Sequence, residues 1–267
     1  MTGKREYYNH YWEDAKARHF DHRSRERALI ALSMLVHTSG KLLDAGAGRG
    51  VAGSVFKERG FEVTAMDVSP HALAYCREKG LDARIVDLET DDVGGPYNVI
   101  IAMEVLEHLE KPKEVLEKLV SALAPDGEMI ISMPNDRNIY HSQKPRGEDD
   151  PHLDLYDGAK ARGLILSCGL RMAGSRGVPL LPGWCIGVRH LVAKFFPAAG
   201  TISTVFHCIK DSGAVSETDD DDTKSTIAFK DLPPKAEEPQ PEAEEPPPET
   251  DEPDKPSADS PEPGEMT

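Results

Sequence analysis

Lys41-Leu42-Leu43-Asp44-Ala45-Gly46-Ala47-Gly48-Arg49-Gly50-Val51-Ala52-Gly53 decides the fold of this 267-residue chain. A short apolar run closes on an acidic residue, and glycines then stand at 46, 48 and 50. An unbroken apolar run suits a strand covered on both faces. Glycines admit left-handed backbone and put no Cβ between the chain and a bound molecule. The stretch therefore predicts a buried strand, a tight turn, and a helix whose first N–H groups face a ligand. A glycine-rich cap kept for packing alone would satisfy the same pattern.

The flanking sequence repeats the strand-helix alternation. A helix over 51–59 ends at Gly60, and Phe61–Asp67 forms a second strand closing on a carboxylate. In an open parallel sheet ligands bind beyond the carboxyl ends of the strands, and an acid about 20 residues past the glycine loop is placed to accept bonds from ribose hydroxyls. Ser69-Pro70 supplies an N-cap and a first-turn proline for a helix reaching Lys79. A third strand, 83–88, carries Asp87, suited to an exocyclic amine. The fourth, Tyr97–Met103, is the most apolar, as a central strand should be. A helix over 112–123 and a fifth strand over 128–134 follow. Beyond Asn135 the pattern predicts helices near 156–168 and 185–196, with strands at 170–178 and 201–210. Such alternation implies a doubly wound α/β sheet with right-handed crossovers.

Composition separates a body from a tail. Gly213–Thr267 holds 18 Asp and Glu against 4 Lys, and 11 of the 21 prolines, so most of the formal charge of −16 belongs there. With few large apolar groups it cannot offset the entropy of ordering, and it reads as a disordered acidic tail: a solvating appendage, or a docking element for a basic partner. The nearly neutral body lacks the basic patch of a protein held on nucleic acid. Cys76, Cys168, Cys185 and Cys208 form no C-x-x-C pair, which points to a reducing, cytoplasmic setting. No apolar stretch is long enough to span a bilayer, and the N-terminus shows no secretory h-region. Residues 1–37 read as two helices, the second over 23–37. Tyr7, Tyr8, Tyr11, Trp12 and Phe20 in the first suit either packing or a lid over a substrate. The resulting division is 1–37, 38–212 and 213–267.

The loop lacks the third glycine that a dinucleotide G-x-G-x-x-G places at 51. D-A-G-A-G-R-G resembles instead motif I of the class I S-adenosylmethionine-dependent methyltransferases. Over roughly 38–136 the loop, Asp67, Asp87, Y-N-V-I-I-A-M-E-V-L-E-H-L and L-A-P-D-G-E-M-I-I-S-M-P-N look like small-molecule enzymes of the ubiquinone-pathway O-methyltransferase type. Asn98 and Asp126-Gly127 depart from that subfamily, which usually has Asp and Gly-Gly there. The resemblance implies a Rossmann-like seven-stranded sheet with an antiparallel last strand. It also implies S-adenosylmethionine held by Asp44, Gly46, Gly48 and Gly50 at its methionine part, Asp67 at the ribose, Asp87 near the adenine, and Met103 at the end of strand four. An NAD-dependent oxidoreductase, or a non-catalytic module recruiting partners by its tail, are the competing readings.

Methyl transfer from a sulfonium is an in-line displacement that needs alignment and a dry site. A hydroxyl acceptor must also lose a proton, for which His108 or His152 is the natural base. The resemblance adds that E-x-x-E-H, here Glu104, Glu107 and His108, supplies ligands to a divalent ion such as Mg. Positions i and i+3 on a helical turn would share a face for that purpose.

Overall fold

A computed structural model describes residues 2–13, 21–135, 158–179 and 201–211. The chain divides into Met1–Val215 and Ser216–Thr267, and the second unit falls wholly outside the described residues. So do His152 and the helix expected over 185–196.

The elements run α1 (Thr2–Glu13), α2 (Asp21–Leu32), β1 (Gly40–Ala45), α3 (Val51–Lys57), β2 (Phe61–Asp67), α4 (Pro70–Glu78), β3 (Asp82–Ile85), β4 (Tyr97–Met103), α5 (Pro112–Ser121), β5 (Leu123–Pro134), α6 (Gly158–Ser167), β6 (Leu170–Pro179) and β7 (Thr201–Lys210). Among the described residues they form one seven-stranded sheet in the order β3-β2-β1-β4-β5-β7-β6. Strands β1 to β5 pair in parallel, and β7 runs antiparallel between β5 and β6. Strand order reverses between β1 and β4, which opens a crevice at their carboxyl ends.

Alternation along the strands builds two cores. Leu43, Ile100, Met129 and Ile131 pack on one face against Leu116 and Leu119 of α5 and Ile165 of α6. Their neighbours Leu42, Val99, Ile101 and Ile130 face the other way, onto Ala28 and Ala31 of α2, Phe56 of α3 and Leu73 of α4. Successive side chains of a strand point to opposite faces, so unbroken apolar runs are what a sheet covered twice requires.

Several boundaries differ from expectation for local reasons. Strand β3 stops at Ile85 rather than at residue 88. The Asp87 carbonyl accepts from Thr90 and Asp91 N–H, so Asp87 opens a turn beyond the strand instead of closing it. Asn98, where the resembling family has Asp, pins the start of β1 by accepting from the Lys41 N–H at 3.0 Å. Helix α2 stops at Leu32 rather than at 37: Met34 N–H closes it with a tighter bond to the Ala31 carbonyl, and beyond that turn the chain is held by the carboxylate of Glu128 on β5. It accepts from the N–H of Val36 at 2.9 Å and of His37 at 2.6 Å, and pairs with the rings of His37 and of His207 on β7.

Glu128 is buried, which opposes its ionisation. The bonds from Val36 and His37, with the His207 ring beside them, outweigh burial and hold its pKa below the usual 4.5. Such a group stabilises the fold above its unfolded pKa, and that contribution is lost as pH falls through the lower folded value. Glu128→Ala strands two backbone donors and two imidazoles, so a loss of about 3 kcal/mol at pH 7 is expected. Urea unfolding should show the gap to the parent protein at neutral pH and a shrinking gap below about pH 4.

Candidate active site

A cavity of about 550 Å³ opens at the crevice between β1 and β4. That is within the ~300–1,000 Å³ of small-molecule sites. Its floor is the glycine loop, its sides are the ends of β2 and β4, and α1 and α2 contribute the outer wall.

The loop is held by its own backbone. Gly46 and Ala47 N–H both donate to the Met66 carbonyl on β2, at 2.8 and 2.9 Å. Gly46, Gly48 and Gly50 all have positive φ, at 72, 51 and 67°. Any other side chain at 46 would also put its Cβ 2.6 Å from Val105 Cγ2. The first two requirements of a ligand loop, left-handed turns and close approach, are thus both met.

Two strand-end carboxylates brace the loop. Asp67 Oδ2 accepts from the Gly48 N–H at 2.9 Å and Oδ1 from the Ser69 N–H at 2.8 Å. Asp44 Oδ2 accepts from the Gly53 N–H at 3.0 Å, satisfying one of the orphan donors in the first turn of α3. Burial pushes Asp44 up to about 7, against the pull of the Gly53 bond, and the charge of Asp67 adds to the rise. Asp67 is raised too, again by burial, with the backbone bonds opposing. The Cys76 thiol, pushed up to about 12 by burial and the nearby carboxylates, donates to the Gly48 carbonyl and stays inert.

The N-terminal helices close over this floor. Ser69 Oγ, the N-cap of α4, donates to Asn9 Oδ1 at 2.7 Å, and Trp12 lies against Gly48. Tyr8 meets His108 edge-on, with ring centroids 6.1 Å apart. Arg49 of the loop lies over the Tyr75 ring and pairs with Asp21 at 3.1 Å. Arg27 of α2, 8% exposed, donates to Ser203 Oγ at 3.2 Å and pairs with Glu104 at 3.4 Å.

Asp44, Gly46, Gly48, Asp67, Asp87, Met103, Glu104, Glu107 and His108 all line the cavity, and Gly50 starts α3 behind them. Sequence reasoning missed Arg27. Its signal was position: of the three arginines of α2, Arg27 is the one that adjoins Ala28 and lies one turn from Ala31 on the buried face.

The metal triad does not assemble. Among the described residues no three His, Cys, Asp or Glu side chains are grouped to hold an ion. Glu104 has φ 56 and precedes the helical turn, which begins only at Leu106. The i, i+3 geometry that would align it with Glu107 is therefore absent. Glu104 accepts instead from Ser132 Oγ at 2.9 Å and pairs with Arg27. Glu107 is fully buried with neither carboxylate oxygen hydrogen-bonded, and His108 Nε2 stands 3.9 Å from it. Burial, reinforced by Glu104, pushes Glu107 well above the usual glutamate range.

Gly53 reports how tightly the floor is packed. A Cβ there would lie 2.9 Å from Asp44 Oδ2 and 3.1 Å from Leu81 and Val63. Alanine favours a helix over glycine by roughly 1 kcal/mol, so propensity alone would make Gly53→Ala stabilising. Crowding should win, and a net loss of about 1–3 kcal/mol is expected in thermal or urea unfolding.

Comparison with known proteins agrees with this geometry. Residues 5–168 match the family model described as a methyltransferase domain. The ubiquinone biosynthesis O-methyltransferase of Idiomarina loihiensis is 33% identical over 115 residues, 39% of this chain and 47% of that protein. The chain thus spans about half the length of the curated relatives it matches, or less. Among solved structures, the 1,6-didemethyltoxoflavin-N1-methyltransferase of Burkholderia thailandensis, with bound S-adenosylhomocysteine, is similar at TM-score 0.54 and 20% identity, covering 76% of this chain and 83% of that one. The magnesium protoporphyrin IX methyltransferase of Synechocystis PCC 6803 is similar at TM-score 0.58 and 15% identity, covering 78% and 99%. At such identities the structures speak for the fold. With more than half its length under the family model, the chain belongs to the methyltransferase-domain family, on the class I S-adenosylmethionine-dependent fold.

Proposed function

We propose that this chain transfers the methyl group of S-adenosylmethionine to a hydroxyl oxygen of a small-molecule acceptor. The observation that carries the cofactor is the glycine loop with the strand-end carboxylates Asp44, Asp67 and Asp87 around one cavity, whose α2 wall holds the buried Arg27 paired with Glu104. A ligand with a cationic amine, a carboxylate and a ribose matches that set. Each Asp67 oxygen holds one backbone N–H and keeps a lone pair for a ribose hydroxyl. Asp44 faces the amine, Asp87 the adenine, Arg27 the carboxylate, and Met103 the reacting end, while Gly46, Gly48 and Gly50 let the backbone close on the methionine part. When bound, the cofactor supplies an electrophilic methyl on a positively charged sulfur. The chain's own part is to align the acceptor and exclude water.

The similarity to O-methyltransferases supports oxygen as the acceptor, and the aromatic residues of α1 serve as its lid in this reading. Helix α1 already touches both the loop, through Trp12, and the Ser69 cap, through Asn9. Among the described residues no helix is long and apolar enough to cross a membrane, and Cys76, Cys168 and Cys208 are free thiols. These thiols support a cytoplasmic setting. The acidic stretch 213–267 serves, in this reading, as a solvating tail or a dock for a basic partner.

Calorimetric titration of the full chain tests the cofactor. S-Adenosylmethionine and S-adenosylhomocysteine should bind at micromolar affinity, NAD should not, and Asp67→Ala should weaken binding at least tenfold, about 1.4 kcal/mol. No binding, or a preference for NAD, would sink the proposal. Binding without turnover of any hydroxylated small molecule would favour a non-catalytic module.

Asp44 adds a pH signature. With its pKa at about 7, the carboxyl is mostly protonated below that pH and ionised above it. A cationic amine should bind more tightly as pH rises from about 5.5 to 7, by up to about tenfold. Asp44→Asn keeps an acceptor for Gly53 N–H while removing the charge, so its affinity profile over that range should be flat.

A further inference from the structure

We propose that the phenol of Tyr8 on α1 donates a hydrogen bond to a ribose hydroxyl of the bound cofactor, completing the ribose site that Asp67 begins, a role that rests on the methyltransferase reading above. Most polar side chains of the cavity wall already bond within the chain: Asp21 with Arg49, Asp44 with Gly53, Asp87 with Glu89, and Glu104 with Ser132 and Arg27. The Tyr8 hydroxyl does not. Tyr8 belongs to the cavity wall, its hydroxyl has no hydrogen-bond partner among the described residues, and that oxygen is not enclosed by protein.

Its place follows from the bonds that set α1. Asp67 Oδ1 accepts from the Ser69 N–H at 2.8 Å, and Ser69 Oγ donates at 2.7 Å to Asn9, the residue next to Tyr8. The Tyr8 ring stands edge-on to Tyr7, with centroids 5.2 Å apart, and Asp67 lies near enough for its charge to act on the phenol. Burial raises the phenol above its usual pKa, and Tyr7 and Asp67 add to the rise, so the group stays an O–H donor at neutral pH. A donor is what the Asp67 carboxylate cannot supply. A ribose hydroxyl that gives its proton to Asp67 has two lone pairs left, and in a site closed to water an unfilled acceptor is costly. The bond also gives α1 a hold that the free protein lacks. No side chain over 6–12 is fully buried, so α1 is only lightly packed until the cofactor joins it to the floor.

The test titrates S-adenosylhomocysteine and its 2′-deoxy and 3′-deoxy analogues into the full chain and into Tyr8→Phe, which keeps the ring and removes the donor. Tyr8→Phe should weaken S-adenosylhomocysteine about three- to tenfold, the usual range for one hydrogen bond. At least one deoxy analogue should bind both proteins equally, because it lacks the oxygen that the phenol reaches. Thermal unfolding without ligand should be the same for both proteins, since no bond is lost in the free chain, while the rise in Tm on adding S-adenosylhomocysteine should be smaller in Tyr8→Phe. Equal affinity of the two proteins for S-adenosylhomocysteine would overturn the proposal. So would a loss in Tyr8→Phe that persists undiminished with both analogues, which would put the phenol on another part of the ligand or give it a purely structural role. A parent chain that binds no S-adenosylhomocysteine would end the methyltransferase reading, and this role with it.

Discussion

The ligand-binding end of this molecule depends on the Asp67 carboxylate. One oxygen accepts from the N–H of Gly48 and the other from the N–H of Ser69, so a single side chain at the end of β2 fixes the glycine loop and the start of α4 together. Only a carboxylate can do this with acceptor capacity to spare, since an amide would offer one acceptor oxygen and two donors. Ser69 extends the tie outward. Its hydroxyl accepts from Ala72 to cap α4 and donates to Asn9 of α1, which brings the helix carrying Trp12 and Tyr8 over the loop. Floor and cover are thus parts of one hydrogen-bond network rooted in Asp67.

Burying such a charge is expensive, and the cavity shows how the cost is met. Asp67 and Asp44 stand near each other, both desolvated, and each is offset by backbone N–H donors rather than by a cation. Backbone donors at the start of a helix supply partial positive charge without bringing a side chain into the cavity. The carboxylates therefore remain available to a cationic ligand. Glu128, at the opposite end of the sheet, is handled differently: two backbone donors and two imidazoles saturate it, which makes it a structural staple between α2, β5 and β7. Glu107 is treated differently among the described residues: neither of its oxygens is hydrogen-bonded, and the His108 ring lies 3.9 Å away.

The fold was legible because strand runs and turn residues agree with one another. Phe61–Asp67, Tyr97–Met103 and Thr201–Lys210 are bounded as their apolar patterns imply, and Ser69-Pro70 caps α4. The boundaries that moved did so through contacts distant in sequence. Glu128 holds Val36, just beyond α2, from 92 residues away, which no local pattern encodes. The gathering of the glycine loop and the strand-end acids around one cavity was equally readable, since topology alone makes their places adjacent. Arg27 was not, because α2 reaches the cavity by packing on the sheet, and helix periodicity records which face is buried without saying what it is buried against. His152 lies outside the described residues.

Glu104 shows how far one backbone angle can redirect a motif. The spacing of Glu104, Glu107 and His108 supports a shared metal only if the segment is helical throughout. Residue 104 adopts φ 56, a left-handed conformation that costs a non-glycine residue of order 1–3 kcal/mol. The ion pair with Arg27, the Ser132 hydroxyl and the bond from Glu104 N–H to the Ser132 carbonyl oppose that cost. The same angle separates Glu104 from the turn holding Glu107 and commits it to α2 instead. Arg27 then keeps a counter-ion within the cavity wall, while Glu107 has neither oxygen hydrogen-bonded and lies 3.9 Å from the His108 ring. The different settings of these two glutamates, one paired with a guanidinium and one buried beside His108, thus follow from the backbone turn at the end of β4.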